Sequence, residues 1–323
     1  MISFAGLRRT VIAVATLIAA FALLAAPASA VAPPKVMAAL GDSITRAYNS
    51  AGTEFTPGTC PMLRGGNALD LDCPPNSWAT GSNPAVNSQF QRIEAIDPDR
   101  HPVAFNDSVS GARASGLLSQ AQVAATQDPD YVTIEIGAND ACRSSLSAQT
   151  PTDTFRSQVE AAVDALVSAN PKVYIQMLSI PDINQLWRIF TSPPNPDALL
   201  RWSAFGTCQA LLANPLSTAQ ADIDRRAAFR AQVIAYNGAL ADVCTEFKRC
   251  LFDNDAVFNT SFTTADVATV TNTAGLPGPD FWDFVPVIDP NGSAGSTADY
   301  FHPSLQGQTR LAEGSWNATF SMN

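Results

Sequence analysis

The chain has 323 residues, 46% of them hydrophobic, and a formal net charge of −10 from 29 acidic and 19 basic residues. A chain this acidic repels phosphate backbones and anionic lipid headgroups, so nucleic acid is not an expected partner. The hydrophobic content is sufficient for a buried core, and the length is compatible with one α/β domain.

The first thirty residues are typical of an export signal. Arg8 and Arg9 precede an apolar run at 11–26, and Ala28-Ser29-Ala30 resembles a cleavage site. A retained anchor is the alternative, although the run is short for a membrane span. The arginine pair leaves a twin-arginine signal open. We therefore expect cleavage near Ala30 and a secreted, monomeric product of one domain, residues 31–323, without stable membrane insertion.

Six cysteines accompany this signal, which favours disulfides over a metal site because exported proteins meet an oxidising environment. The two histidines and the wide cysteine spacing do not fit a zinc site, so no metal is expected. Many pairings are compatible with six cysteines. We prefer the sequential one, in which two pairs close short loops: Cys60–Cys73, Cys142–Cys208 and Cys244–Cys250.

Strands and helices are expected to alternate along the mature chain. Short apolar runs without polar alternation predict five buried parallel strands, at 36–40, 103–105, 131–136, 172–178 and 250–252. Helical spacing of apolar residues predicts helices at 112–125, 155–171, 218–247 and 304–318. The apolar face of the third helix includes Ile223. This order favours a single doubly wound α/β domain with right-handed crossovers.

Three insertions interrupt the alternation, at about 49–84, 182–217 and 254–298, and they are rich in Pro, Asn, Gly, Asp and Thr. Loops of this length in a compact domain are usually functional, so they are candidate walls of a substrate cleft. The alternative is that the insertions only elaborate the surface, held in place by disulfides, and do not form a substrate cleft. Aromatic residues of the last insertion are candidates either for an acyl pocket or for core packing: Phe258, Phe262, Phe281, Trp282 and Phe284.

Ser43 and His302 are the candidate nucleophile and base. Ser43 follows the first strand in Gly41-Asp42-Ser43, where a strand-to-helix turn would expose its hydroxyl. On its own, Ser43 would be interpreted as a turn or N-cap serine. His302 lies three residues after Asp299, a spacing that lets the carboxylate orient the imidazole; a structural Asp–His pair is the alternative. His101 lies between Arg and Pro in a polar turn and is expected to be solvated.

Donors for a developing oxyanion are expected at three positions. Asn139 follows the third strand in Gly137-Ala138-Asn139-Asp140, and its side-chain amide is a candidate donor. Gly111 follows the second strand, where a glycine permits close approach of a backbone N–H group. The N–H group of Ser43 is the third. The alternatives are a helix N-cap for Asn139 and an ordinary turn glycine for Gly111.

The position of these residues relative to the strands favours the functional interpretation. Ser43, Gly111 and Asn139 each follow a predicted strand, and Asp299 and His302 follow the last one. Ligands of open α/β sheets bind outside the carboxyl ends of the strands. The five residues are therefore expected to meet in one crevice.

With those residues identified, the chain resembles the SGNH hydrolases, also called the GDSL esterase/lipase family. The resemblance covers nearly the whole mature chain and rests on four blocks: Gly41-Asp42-Ser43-Ile44, 106–111, Gly137-Ala138-Asn139-Asp140 and 299–302. It implies a three-layer, flavodoxin-like fold with a five-stranded parallel sheet. It also implies a catalytic triad of Ser43, Asp299 and His302, with Ser43, Gly111 and Asn139 as oxyanion-hole donors and no cofactor.

The second block departs from the family pattern, because Ala112-Arg113 follows Gly111 where many members have Asp and then Ser or Thr. This leaves the donor role intact and the local hydrogen bonding open. Asn76-Ser77-Trp78, Cys142 and the Phe301-His302-Pro303 ending look like the phospholipase B-like branch and secreted actinobacterial lipases.

The predicted function is therefore a secreted serine esterase or lipase acting on lipid acyl esters or other small ester substrates. Two alternatives remain at this level. One is a carbohydrate acetylesterase on the same scaffold, and the other is a non-catalytic exported binding protein.

Overall fold

The computed structural model describes residues 31–50, 72–268 and 299–320, and the backbone of the ribbon β2 (Leu63–Arg64) and β3 (Ala68–Leu69). The predicted export signal lies outside the described residues. The main sheet has five strands: β1 (Val36–Gly41), β4 (Val103–Asn106), β5 (Tyr131–Glu135), β6 (Tyr174–Met177) and β7 (Cys250–Phe252). All five are parallel, in the order β4-β1-β5-β6-β7.

The burial of each strand follows from its place in this order. All five residues of the central β5 are buried, which explains its continuous apolar run. The edge strand β4 instead leaves Val103 and Phe105 exposed. Numbered along the main sheet alone, the strand order is 2-1-3-4-5, the flavodoxin-like arrangement, in which the order reverses beside the first strand. The predicted α/β fold and five-stranded parallel sheet are confirmed.

Helices cover both faces of the sheet and complete three layers. These helices are α1 (Gln89–Ile96), α2 (Ala114–Ala125), α4 (Thr152–Ala169), α8 (Gln220–Thr245) and α9 (Leu305–Asn317). On one face α4 packs against both α2 and α8, and on the other α1 contacts α9. The apolar face predicted for α4 is fully buried, whereas Ile223 of α8 is exposed and does not belong to the core.

The segment 182–217 is not the loop that its composition predicts. It contains three short helices, α5 (Asn184–Thr191), α6 (Pro196–Ala204) and α7 (Gln209–Leu212). The Pro and Asn residues that suggested a loop begin one of these helices. Pro196 occupies its first turn, and the Asn195 side chain accepts a hydrogen bond from the Ala198 N–H group. A further four-residue helix, α3 (Ala138–Ala141), follows β5.

The described residues contain two disulfides, one between the ends of two short helices and one between α8 and β7. Cys142, directly after α3, is bonded to Cys208, directly before α7. Cys244 of α8 is bonded to Cys250 of β7. Both are pairs expected from the sequence, and Cys60 of the remaining expected pair lies outside the described residues.

Candidate active site

Ser43 follows β1, which lies between β4 and β5 in the sheet, and belongs to the nucleophile segment, residues 41–50. Gly41 has φ +152°, and a Cβ atom there would lie 2.3 Å from the carbonyl oxygen of Glu135 on the neighbouring strand, so only glycine fits. The buried Gln120 side chain bonds both the N–H and C=O groups of Gly41, at 2.8 and 2.9 Å. Beyond Ser43 the chain forms consecutive turns rather than the predicted helix, with Ala47 and Asn49 at positive φ.

His302 lies within hydrogen-bond distance of Ser43, although the two are 259 positions apart in the sequence. The Nε2 atom of His302 is 3.0 Å from Ser43 Oγ, and its Nδ1 atom is 2.7 Å from Asp299 Oδ2. The other carboxylate oxygen of Asp299 accepts the backbone N–H groups of Phe301 and His302, at 2.9 and 3.0 Å. The three-residue spacing therefore forms the turn expected from the sequence, with the imidazole between a carboxylate and a serine.

The base segment, residues 299–304, is held mainly by residues 266–268. Backbone hydrogen bonds join Ala268 to Tyr300 and His302, and Ser304 to Asp266. The Asn49 side-chain amide also donates to Asp299 Oδ2 at 2.8 Å, and the Tyr48 ring lies 4.7 Å from the His302 ring. Sequence reasoning missed Asn49 and Tyr48, because neither has a motif signal beyond its proximity to Ser43.

Gly111 and Asn139 both lie beyond the carboxyl ends of their strands, as expected. Gly111 has φ +80°, and within the described residues neither its N–H group nor that of Ser43 donates a hydrogen bond. The Asn139 amide nitrogen is engaged, donating to Asp42 Oδ2 at 3.2 Å and to the Ala112 carbonyl at 3.0 Å. Asn139 thereby joins the Ser43 turn to the Gly111 turn.

Asp140 fixes the same junction from the other side. One of its carboxylate oxygens accepts the Ala114 N–H group at the start of α2, at 2.9 Å, and the other accepts the Thr150 hydroxyl at 2.6 Å. Burial raises the pKa of Asp140, and these two hydrogen bonds partly oppose the shift. Since α2 begins three residues after Gly111, this contact sets the position of the Gly111 turn.

Two fully buried carboxyl groups lie beneath the nucleophile segment. Burial raises the pKa of Asp42 to about 7, a shift opposed by the Ile44 N–H bond at 2.9 Å and by the nearby His302, and reinforced by Asp140. Burial, and then the charge of Asp42, raise the pKa of Glu135 well above its ordinary value. One Glu135 oxygen accepts a long hydrogen bond from the Thr45 hydroxyl, at 3.4 Å, and the other has no hydrogen-bond partner in the described part of the chain.

A largely apolar pocket opens beside Ser43 and His302. Its apolar lining comes from the nucleophile segment, the residues after β6, α5 and the segments flanking His302: Ile44, Pro181, Ile183, Leu186, Phe262, Val267 and Phe301. Of the aromatic residues proposed for an acyl pocket, Phe262 lines it and Phe258 is buried in the core. Phe281, Trp282 and Phe284 lie outside the described residues.

His101 does not take part in the site. It is exposed, with φ 49°, directly before β4 and hence at the amino end of the sheet. No group of His, Cys, Asp and Glu residues in the described part of the chain is arranged to hold a metal ion. Among those residues there is also no helix long and apolar enough to cross a membrane.

The site lies at the carboxyl end of a parallel sheet and contains a carboxylate, a histidine and a serine that are hydrogen-bonded in that order. This is the arrangement of groups found in serine hydrolases. A model of the GDSL-like lipase/acylhydrolase family matches residues 37–314. The chain belongs to that family.

The individual proteins that this chain matches share less than a third of their aligned residues with it. The membrane-associated phospholipase B1 of Rattus norvegicus is 29% identical over 189 residues, which is 49% of this chain but 12% of the relative. The chain therefore spans only a small part of the curated relatives that it matches.

Among solved structures, phospholipase A1 from Streptomyces albidoflavus is 16% identical, with 88% of this chain and 98% of that chain covered and a TM-score of 0.46. A carbohydrate esterase of family 2 from Corynascus thermopiles, with a carbohydrate-binding domain, is 14% identical, with 90% and 67% covered and a TM-score of 0.43.

Proposed function

We propose that the protein is a secreted serine esterase that hydrolyses lipid acyl esters through an acyl-enzyme on Ser43. The observation that carries this proposal is the chain of contacts from Asp299 through His302 to Ser43, at 2.7 and 3.0 Å, at the wall of an apolar pocket. Residues 31–323 would act as one monomeric domain, with loop or helical insertions around the pocket.

The first half-reaction follows from these contacts. With the His302 Nδ1–H group donating to Asp299, Nε2 is the acceptor for the Ser43 proton, so the Ser43 oxygen attacks the ester carbonyl as His302 takes its proton. His302 then gives this proton to the departing alcohol, leaving the acyl group on Ser43. Water repeats the sequence, with His302 again the base, and releases the acid.

The oxyanion of each tetrahedral intermediate would lie among the Ser43 and Gly111 N–H groups and the Asn139 amide. Both backbone N–H groups are without a partner in the described residues, which supports this role. The Asn139 amide must turn or share one of its two present hydrogen bonds to contribute. The loss of one such donor reduces turnover by about 10²–10³-fold in other hydrolases.

The apolar lining of the pocket favours an acyl chain over the acetyl group of an acetylated sugar. The lining includes the polar residues Asn139, Asp182, Gln185 and Asp266, but most of its surface is apolar and comes largely from Ile, Leu, Val and Phe side chains, which suits an acyl chain. Secretion is supported by the two disulfides and by the composition of residues 1–30.

The test compares wild type and a folded Ser43→Ala variant on p-nitrophenyl esters from acetyl to palmitoyl, and on acetylated xylan. We expect wild-type turnover to be greatest on acyl chains longer than acetyl, and Ser43→Ala to lose on the order of 10⁴-fold or more. Equal turnover by the two proteins would overturn the mechanism. Activity on acetyl esters alone would indicate the carbohydrate esterase, and failure of a fluorophosphonate to label Ser43 would indicate a binding protein.

A further inference from the structure

A second cavity lies at the amino end of the main sheet, away from Ser43. Its volume is about 290 Å³, and three basic side chains line it: Arg100, Lys172 and Arg249. Arg100 lies shortly before β4, Lys172 shortly before β6 and Arg249 directly before β7. In a parallel sheet the residues that precede the strands meet at one edge, so the topology of the fold brings these three cations to the same cavity.

The three cations are not balanced by acidic neighbours in the described part of the chain. None of them forms an ion pair there, and the buried Nε atom of Arg100 has no hydrogen-bond partner there. Among the described residues that line the cavity, Asp130 alone is acidic. Its Oδ2 atom accepts the backbone N–H groups of Lys35 and Val36, at 2.8 and 3.1 Å, at the start of β1. The lining therefore has an excess of two positive charges.

Such an excess of positive charge is unfavourable unless an anion offsets it. Like charges that share a cavity repel, and a buried N–H group without an acceptor has lost its hydrogen bonds to water. The excess also contrasts with the rest of the chain, in which 29 acidic residues outnumber 19 basic ones. The described lining thus leaves the three cations available to a ligand of opposite charge.

Arg249 is held in a fixed position before any ligand binds. Its guanidinium carbon lies 4.6 Å from the centre of the Tyr174 ring, and its Nη1 atom donates to the Lys172 carbonyl at 3.3 Å. The Tyr174 ring in turn packs against Phe320, with 4.9 Å between the ring centres. A guanidinium that is already oriented presents its remaining N–H groups to an oxyanion with little loss of side-chain freedom.

We propose that the cavity binds an organic anion with at least two oxyanion groups, carboxylate or phosphate, joined by a short carbon skeleton. Lys172 and Arg249 precede neighbouring strands and bind one group, whereas Arg100 precedes the strand at the opposite edge of the sheet and binds the other. Strands four places apart lie about 19 Å from each other, so a compact ion does not reach both ends. Pro34 and Phe320 give the carbon skeleton an apolar surface.

Isothermal titration calorimetry of the purified protein tests this proposal at one low ionic strength. Citrate and fructose 1,6-bisphosphate are the multivalent probes, and acetate and methyl phosphate are their single-group counterparts. We expect at least one multivalent anion to bind at a single site, at least about tenfold more tightly than its counterpart. Arg100→Gln and Arg249→Gln should each weaken that binding about tenfold or more, which corresponds to about 1.4 kcal/mol. Binding should also raise the thermal unfolding midpoint of wild type, because the anion binds the folded state.

The matched control is Arg92→Gln, outside the cavity. The Arg92 guanidinium also lies over an aromatic ring, 5.9 Å from the centre of Trp316, and also donates to a backbone carbonyl, that of Asn87 at 2.9 Å. This variant should bind the anion as wild type does. All three variants should hydrolyse p-nitrophenyl butyrate within about twofold of the wild-type rate, because the cavity and Ser43 lie at opposite ends of the sheet. Should an arginine variant fail to fold, Lys172→Gln, at an exposed side chain, replaces it.

The outcomes separate a binding site from general electrostatic attraction. Binding of citrate alone assigns the ligand to the carboxylates, and binding of the bisphosphate alone assigns it to the phosphate esters. Absence of binding by both probes would overturn the inference. So would a single-group anion that binds as tightly as its multivalent counterpart, or an Arg92→Gln variant that loses as much affinity as Arg249→Gln, since both results indicate diffuse surface charge. Ester turnover by wild type tests only the proposed function, so failure of one proposal leaves the other standing.

Discussion

The nucleophile segment and the base segment meet at two hydrogen bonds, between Ser43 and His302 and between Asn49 and Asp299, but they are held in different ways. The nucleophile segment is almost entirely buried, and three other parts of the chain contact its carbonyl groups. The Gln308 amide donates to the Ile44 carbonyl, and Ser77 and Asn106 both donate to the Thr45 carbonyl. The base segment is only half-buried, and besides its backbone hydrogen bonds to residues 266–268 it depends on Asp299, whose carboxylate accepts four hydrogen bonds.

This difference matches the chemical roles proposed for the two segments. In the proposed mechanism the Ser43 oxygen approaches a carbonyl held by fixed donors, so displacement of its backbone would misalign the nucleophile and the oxyanion site together. In the same mechanism the imidazole only exchanges protons, and the Asp299 carboxylate orients its ring. Disturbing the nucleophile segment should therefore affect catalysis more strongly than disturbing the base segment.

The largest effect is expected from Asp42→Asn, within the nucleophile segment. The new amide would present N–H groups to the Asn139 amide, which then loses its acceptor and its position between the Ser43 and Gly111 turns. We expect kcat on p-nitrophenyl butyrate to fall about 10²–10³-fold, with KM changed much less, as for the loss of an oxyanion donor. Losses in kcat that are less than additive in Asp42→Asn/Asn139→Ala would support coupling of the two side chains.

The matched control is Asp107→Asn, at another carboxyl group whose pKa is raised by burial but which bonds Gln127 away from Ser43. It should retain wild-type kcat. If Asp42→Asn also retains it, Asp42 does not position the oxyanion donors.

A smaller effect is expected from Asn49→Gly. Asn49 lies at the end of the nucleophile segment, but its side chain acts on the base segment as one of the four donors to Asp299, and glycine suits the left-handed backbone of that position, φ 60°. The loss of one hydrogen bond to a carboxylate corresponds to about a tenfold reduction in kcat, since Asp299 orients the imidazole less firmly. Asn254→Gly has a similar backbone, φ 52°, at an exposed site and serves as the control. A fall in kcat as large as that of Asp42→Asn would contradict the proposed difference between the segments.

The smallest effect concerns stability and is expected from Glu135→Gln beneath the nucleophile segment. Because burial holds the pKa of Glu135 well above 4.5, the unfolded chain releases this proton at a lower pH than the folded protein does. The free energy of unfolding therefore falls as pH rises from about 4.5, until the folded protein also releases the proton.

Glutamine does not titrate, so the variant should be more stable than wild type at neutral pH, by about 1–2 kcal/mol, with less difference near pH 4. Urea unfolding at several pH values measures this, with the exposed Glu313→Gln as control. A variant that is less stable than wild type at neutral pH would show that the Glu135 carboxylate is stabilised by contacts other than the long Thr45 bond.

The sequence predicts the sheet and the site residues together because both depend on the same local signal. Ser43, Gly111 and Asn139 each follow a short apolar strand, so placing the strands also places the residues at one edge of the sheet. Asp299 and His302 are recognised from their three-residue spacing, which closes a turn without help from distant contacts.

Features that depend on packing between distant segments were not predictable in this way. Asn49 acquires its role only because the chain reverses through two left-handed residues and meets Asp299, 250 positions later. Helix α5 could have been recognised from the helical spacing of Leu186, Ile189 and Phe190, but the surrounding Pro and Asn residues made the whole segment resemble a loop. The pairing of Asp182 with Arg230 likewise has no local pattern.

The disulfide between Cys142 and Cys208 has a consequence for how substrate preference and catalytic chemistry change during evolution. It binds the short helix that carries Asn139 to the insertion that contributes α5 and part of the pocket wall. Under the proposed function, mutations in the insertion alter which ester is accepted, while the covalent link keeps the insertion beside Ser43 and His302. Related chains that share the triad and this bond should thus diverge first in their preferred substrates and only later, if at all, in their chemistry.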